Sequence, residues 1–226
     1  MSTVLVIGAS RGIGLEFVRQ YLAEGARVIA TARDEAGLAR LRELGAAALR
    51  LDVADPASIS GLAWQLDGER IDIALYVAGV ITRPGADTPP TQPDFDRLMH
   101  TNVLGAMQVI PQVAPLVEAA GQGRGGRFAF VSTDMAHIGT VANSYCWIYR
   151  VSKAALNMAV ASAQHDYPRA ILVTLSPGWV RTDMGGDSAP VDVSDSVSAM
   201  RRTLAGLDES AKGGFFRLDG SRFDGY

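Results

Sequence analysis

Tyr149 and Lys153 stand four residues apart in the segment Tyr-Arg-Val-Ser-Lys, which has a helical pattern. Residues at that spacing share a helical face, so a phenol and an ammonium can point into one pocket. A free phenol titrates near ~10. A neighbouring cation favours the phenolate and lowers that value. A tyrosine tuned in this way can protonate a carbonyl oxygen, or deprotonate an alcohol in reverse. The lysine is also unusual for this chain. Its 226 residues include 19 arginines but only two lysines, Lys153 and Lys212. A planar guanidinium is a poor substitute for a compact ammonium beside a tyrosine.

A second group with chemical meaning is the turn Gly8-Ala-Ser10-Arg11-Gly12-Ile13-Gly14. It follows an apolar run and opens a helical pattern. Glycines there permit a tight turn and close backbone approach to a pyrophosphate. The helix N-terminus adds free N–H groups and partial positive charge. The context therefore predicts a dinucleotide site. A cofactor with a free ribose 2′-hydroxyl usually meets an acid at the tip of the second strand. Here the tip reads Ala30-Thr31-Ala32-Arg33, with Asp34 one place later. Arg11 and Arg33 suit a 2′-phosphate, which a guanidinium can grip in a fork. The expected cofactor is NADP(H) rather than NAD(H).

Those residues need strand ends and helix starts to position them, and the chain supplies a regular alternation. Apolar runs at 3–7, 27–31, 47–51, 72–77, 127–132 and 170–175 read as strands, with a last short one at 214–218. Helical patterns fill 12–23, 35–44, 56–66, 95–119, 145–167 and 193–207. Pro111 and Pro115 are expected to kink or interrupt the longest of these, and residues 123–126 to form a turn. Strands alternating with helices predict an α/β fold, a doubly wound parallel sheet of about seven strands with helices on both faces. No linker or repeat divides residues 1–226, so a single domain is expected. Loops after the carboxyl ends of strands, at 8–14, 80–94, 133–144 and 177–192, are where ligands should gather.

Composition excludes several classes. The formal net charge is −3 with no basic run, a poor basis for nucleic-acid binding. One cysteine, Cys146, excludes an internal disulfide framework. His100, His137 and His165 have no metal-ligand spacing. No apolar run has the length of a membrane span, and the first residues lack the basic start of a signal peptide. A cytoplasmic protein acting on a small molecule is expected, with no nucleic-acid or membrane partner.

The glycine turn together with Tyr149 and Lys153 resembles the short-chain dehydrogenase/reductase family, and the likeness runs essentially end to end. The final segments, Thr182-Asp-Met-Gly-Gly186 and Gly213-Gly-Phe-Phe-Arg-Leu-Asp-Gly220, look like the compact C-factor and sniffer-type carbonyl reductase branch. The resemblance implies a Rossmann-type domain and reduction of an aldehyde or ketone to an alcohol. Tyr149 would be the proton donor, and Lys153 would hold the nicotinamide ribose. Asn102, in Asn-Val-Leu-Gly105, matches the asparagine that supports a proton-relay water chain. Asp52 and Val53 match the adenine contact. Ala78 and Gly79 flank the cofactor by their backbone, and Pro177, Gly178, Val180 and Thr182 match the segment beside the nicotinamide. The resemblance leaves assembly open, since homodimers and homotetramers occur in the family and monomers in its compact branch.

The match departs at two places. The family's serine pair reads Ser132-Thr133, so Thr133 is the aligned hydroxyl and Ser132 its substitute. The family's Asn-Asn before Ala78 reads Tyr76-Val77, which removes side-chain contacts that steady the site. That departure and the C-factor likeness keep open a second reading, an NADP-binding sensor or signalling protein of the same fold with little or no turnover. Met135, His137, Ile138, Tyr145, Trp147, Trp179 and Met184 are candidate walls of a substrate pocket. Cys146 reads as a small buried hydrophobe, and Asp195 and Ser196 as helix-start residues.

Overall fold

The apolar runs pair into one sheet because each is flanked by helical segments long enough to return the chain to its starting end. The computed structural model describes residues 1–121 and 125–225. Positions 123 and 124 of the expected turn lie outside the described residues. The strands are β1 Thr3–Ile7, β2 Arg27–Ala32, β3 Ala47–Arg50, β4 Ile73–Tyr76, β5 Arg127–Val131, β6 Ile171–Ser176 and β7 Phe215–Arg217. They form a seven-stranded sheet in the order β3-β2-β1-β4-β5-β6-β7, with every pairing parallel. The order reverses between β1 and β4, which opens a crevice at their carboxyl ends.

Alternate residues of each strand face opposite sides. In β1, Val4 and Val6 enter the core under α1 (Gly12–Ala23), α2 (Glu35–Glu43) and α8 (Val193–Gly206). Leu5 and Ile7 enter the core under α6 (Gly105–Glu118) and α7 (Trp147–Ala163). Two cores, one on each face, thus fix the sheet from both sides.

The expected helix at 56–66 is two short ones, α3 (Pro56–Ser60) and α4 (Leu62–Gln65), hinged at Gly61. The longer helix at 95–119 is also divided, but not at its prolines. Helix α5 (Gln92–Met99) passes into a π-helical turn, His100–Leu104, which continues as α6. Pro111 and Pro115 lie inside an unbroken α6, four residues apart on its exposed side. There the carbonyls they leave without partners face water, so the helix continues.

Tyr76 explains where the break falls. Its ring is fully buried, 5.7 Å from Phe130. Its hydroxyl donates to the Thr101 carbonyl at 3.0 Å, inside the π turn. Gly105 makes room for this, because a Cβ there would lie 2.9 Å from the Tyr76 hydroxyl and 2.4 Å from the Val53 carbonyl. The residue replacing the family's asparagine therefore anchors the segment that carries Asn102. Tyr76→Phe should lower stability by about 1 kcal/mol, or Tm by about 2–4 °C. An unchanged melting temperature would mean that the bond carries no weight.

Candidate functional site

The carboxyl ends of β1, β4 and β5 bring the chemical residues together. Lys153 is 3% exposed, and its Nζ donates to the Val131 carbonyl, the last of β5, at 2.8 Å. Nζ lies 5.9 Å from the centre of the Tyr149 ring. Asn102 Oδ1 accepts from Val80 N–H at 2.8 Å, and its Nδ2 donates to the Val80 carbonyl and to Ser152 Oγ, both at 2.9 Å. Ser152 Oγ in turn donates to the Tyr149 carbonyl at 2.8 Å. Gly79 fits between these groups. A Cβ there would stand 3.3 Å from Asn102 Oδ1 and 3.4 Å from Lys153 Nζ.

The two candidate hydroxyls differ. Ser132 is buried and donates to Asn157 Oδ1 of α7 at 2.7 Å. Thr133 Oγ1 accepts from Met135 N–H at 3.3 Å, starting the short turn Asp134–Ala136. That bond uses a lone pair and leaves the hydroxyl proton for another acceptor. Asp134 accepts from Ser176 Oγ and so ties the end of β5 to the end of β6.

Burial governs the charges. It pushes the Tyr149 phenol above its ordinary value, with the Cys146 thiol adding to the rise. It pushes the Lys153 ammonium down from 10.5 to about 8. Burial outweighs the lowering of the tyrosine expected from Lys153. Desolvation penalises both charged forms, and the ammonium spends a proton on Val131 rather than facing the ring at contact distance.

The dinucleotide cradle is built as its glycines require. Gly8 has φ +85°, and a Cβ on it would meet the Ala78 nitrogen at 2.6 Å. A Cβ on Gly14 would stand 2.2 Å from the Gly8 carbonyl. Ile13 packs into the α1-side core. Asp34, Asp55 and Thr91 cap α2, α3 and α5, but among the described residues no side chain caps α1, whose N-cap is Arg11. Its first N–H groups are thus open to an anion. Thr182 leans over this turn, its methyl 3.5 Å from where a Gly12 Cβ would be. Gly178 takes φ +76°, Val180 is buried, and Pro177 is held through its carbonyl by Ser196 Oγ at 2.7 Å. At the end of β3, Asp52 accepts from Ala54 N–H at 2.9 Å, and Val53 is buried.

At the tip of β2, Asp34 accepts from Gly37 N–H at 2.8 Å. Its Oδ1 is thereby used in capping α2. Arg33 is exposed, and its carbonyl accepts from Arg50 at 2.9 Å. Arg11 pairs with Asp183 at 3.3 Å, with both side chains largely in solvent. Two residues that sequence reasoning missed complete this corner. Arg40 donates to the Ser10 carbonyl at 2.5 Å. Gly37 lets α2 pack on the phosphate turn, since a Cβ there would meet Ser10 Cβ at 3.0 Å. A glycine within the first helical turn was the available signal; nothing in the sequence brings Arg40 to Ser10.

Of the candidate walls, Met135 and Trp147 pack beside Tyr149, Cys146 and Leu98. Ile138, Tyr145 and Trp179 are each more than half exposed, and Met184, two residues after Thr182, is exposed as well. His137 does not belong with them. It is buried, its ring 5.2 Å from Phe223 and its Nε2 3.1 Å from the Asp224 carbonyl. It holds down the C-terminal segment instead. Cys146 is fully buried and has φ +58°.

Residues 2–191 match the family model described as short chain dehydrogenase. The protein belongs to the short-chain dehydrogenase family. It is 36% identical to the C-signal of Myxococcus xanthus over 153 residues, covering 67% of this chain and 90% of that protein. The fold superposes on the NADPH-bound carbonyl reductase from chicken fatty liver with a TM-score of 0.88, at 30% identity, covering 99% of this chain and 98% of that one. Carbonyl reductase Sniffer of D. melanogaster gives 0.90 at 26% identity, covering 99% of each chain. Among the described residues no helix is long and apolar enough to cross a membrane.

The buried lysine has a pH consequence. Its folded value of about 8 lies below the free value of 10.5, so between them the unfolded chain binds more protons. Stability therefore rises with pH through that window. In urea unfolding, the wild type should gain on Lys153→Met from about pH 8 to 10.5. A stability difference that stays flat with pH would show that Lys153 is not desolvated.

Proposed function

We propose that this protein is an NADP(H)-dependent reductase of aldehydes or ketones. The observation that carries this reading is the packing of Asn102 and Lys153 around Gly79, with the Tyr149 ring centre 5.9 Å from the ammonium and Thr133 following β5, whose last carbonyl holds Lys153. The uncapped start of α1 and the glycines of its turn fit a pyrophosphate. Arg11 and Arg33 would hold a 2′-phosphate, and Asp34, one place beyond the tip of β2, already spends Oδ1 on capping its helix. When bound, the nicotinamide supplies a hydride to the carbonyl carbon.

The protein's own residues handle the proton. Burial keeps Tyr149 protonated at neutral pH, which suits a donor in the direction of reduction. Tyr149 Oη gives its proton to the carbonyl oxygen, and the Thr133 hydroxyl donates a hydrogen bond to the same atom. Lys153, held by Val131, offsets the negative charge left on the phenol. Asn102 fixes the π turn against Val80 and, through Ser152, the turn of α7 that bears Tyr149. The sensor reading drew on the C-factor likeness and on the loss of the family's asparagines at Tyr76-Val77. Tyr76 anchors the Asn102 turn by another route, so we favour the enzyme.

Loss of NADPH absorbance across a panel of aldehydes, ketones and quinones tests this reading. Tyr149→Phe should cost about 10²–10⁴-fold in turnover; unchanged turnover would sink the mechanism, and tight NADPH binding without turnover would favour a sensor. With the same substrates, Arg33→Asp should move the kcat/KM ratio of NADPH to NADH toward NADH by about tenfold. An unmoved ratio would remove Arg33 from the 2′-phosphate site.

A further inference from the structure

Arg83 joins three parts of the site. It lies in the loop after β4, whose start is pinned by the bonds from Asn102 to Val80. Its carbonyl accepts from Cys146 N–H at 3.2 Å, and the next carbonyl, of Pro84, accepts from Trp147 N–H at 3.4 Å. The loop is therefore tied to the left-handed residue that opens α7, one turn before Tyr149. Gly85 sits against the same segment, since a Cβ there would stand 2.9 Å from Ser144 Oγ.

The Arg83 guanidinium reaches the other way. Its Nη2 donates to the Met184 carbonyl at 3.2 Å. Among the described residues this is the one hydrogen bond between the loop after β4 and residues 177–192. In the strand order, β5 lies between β4 and β6. The bond thus spans the end of β5, where Val131 holds Lys153 and Thr133 begins the next turn. The segment it reaches is bounded by Gly178 and Gly186, both at positive φ, and carries the exposed Trp179 and Met184. Its far edge is held by Asp183 on Arg11. A single solvent-exposed hydrogen bond is weak enough to break and reform as a ligand enters. Residues 182–186 can follow, ending at Gly186, while Trp179 and Arg181 stay bonded to Val191.

We propose that Arg83 is a positioning residue that holds residues 178–186 over the substrate by bridging to the Met184 carbonyl. Resting on the reductase reading, this places its effect on substrate affinity and not on proton transfer. Arg83→Met keeps the apolar stem and removes every donor, while Arg83→Lys keeps one. Amide hydrogen exchange over residues 181–187 in the protein without cofactor, and KM against kcat with NADPH and a carbonyl substrate, give two readouts.

In Arg83→Met, exchange there should quicken and KM should rise, each by about tenfold, with kcat within about threefold; Arg83→Lys should restore most of both. Exchange and KM both unchanged in Arg83→Met would overturn the proposal. A fall in kcat at constant KM would overturn it too, as would a loss of thermal stability that lysine does not rescue. If the wild type reduces nothing on the panel, the reductase reading fails, and the exchange comparison still decides whether Arg83 holds the segment.

Discussion

The Lys153 ammonium is held 2.8 Å from a backbone carbonyl, at a depth where water hardly reaches it. A buried charge is costly unless it is paired or hydrogen-bonded. Among the described residues no carboxylate bonds it. The surroundings must therefore be arranged so that one carbonyl, the Val131 oxygen at the end of β5, remains in place. That requirement runs outward through the fold. β5 must sit between β4 and β6, α7 must meet it at a fixed angle, and Gly79 must leave room for the amine. The glycine at 79 and the lysine at 153 are two sides of one spatial constraint.

The family resemblance and the geometry divide the explanation between them. A match over residues 2–191 gives the family. It does not say how this chain manages without the two asparagines before Ala78. The answer is local. A tyrosine too large for that position in an ordinary helix contact finds room because Gly105 and a π turn make way for it. The hydroxyl then supplies a bond to the segment that the missing amides would otherwise have steadied.

Most of the sheet could be read from the sequence, because strands covered on both faces are continuous apolar runs, as in Val4 to Ile7. The Tyr149–Lys153 pairing could be read because helical spacing is a local property. What could not be read depends on partners distant in the chain. The seat of His137 depends on the C-terminal carbonyl of Asp224, 87 residues away. The choice between Ser132 and Thr133 depends on Asn157 offering an acceptor to one of them. The tyrosine's proton affinity followed burial rather than its charged neighbour, and burial is a property of the packed whole. The prolines misled for a similar reason, because their cost depends on which side of α6 faces water.

The π turn also makes the chain length between α5 and α6 a hard constraint. It accommodates one residue more than a regular helix would. Each α-helical residue advances the direction of a side chain by about 100°. Losing one residue from His100–Leu104 would let the helix run smoothly, but everything before the gap would turn by that angle. Leu98 would leave its packing on Cys146 and Tyr149, or Asn102 would leave Val80. This stretch should accept substitutions at several positions and yet resist a change of even one residue in its length.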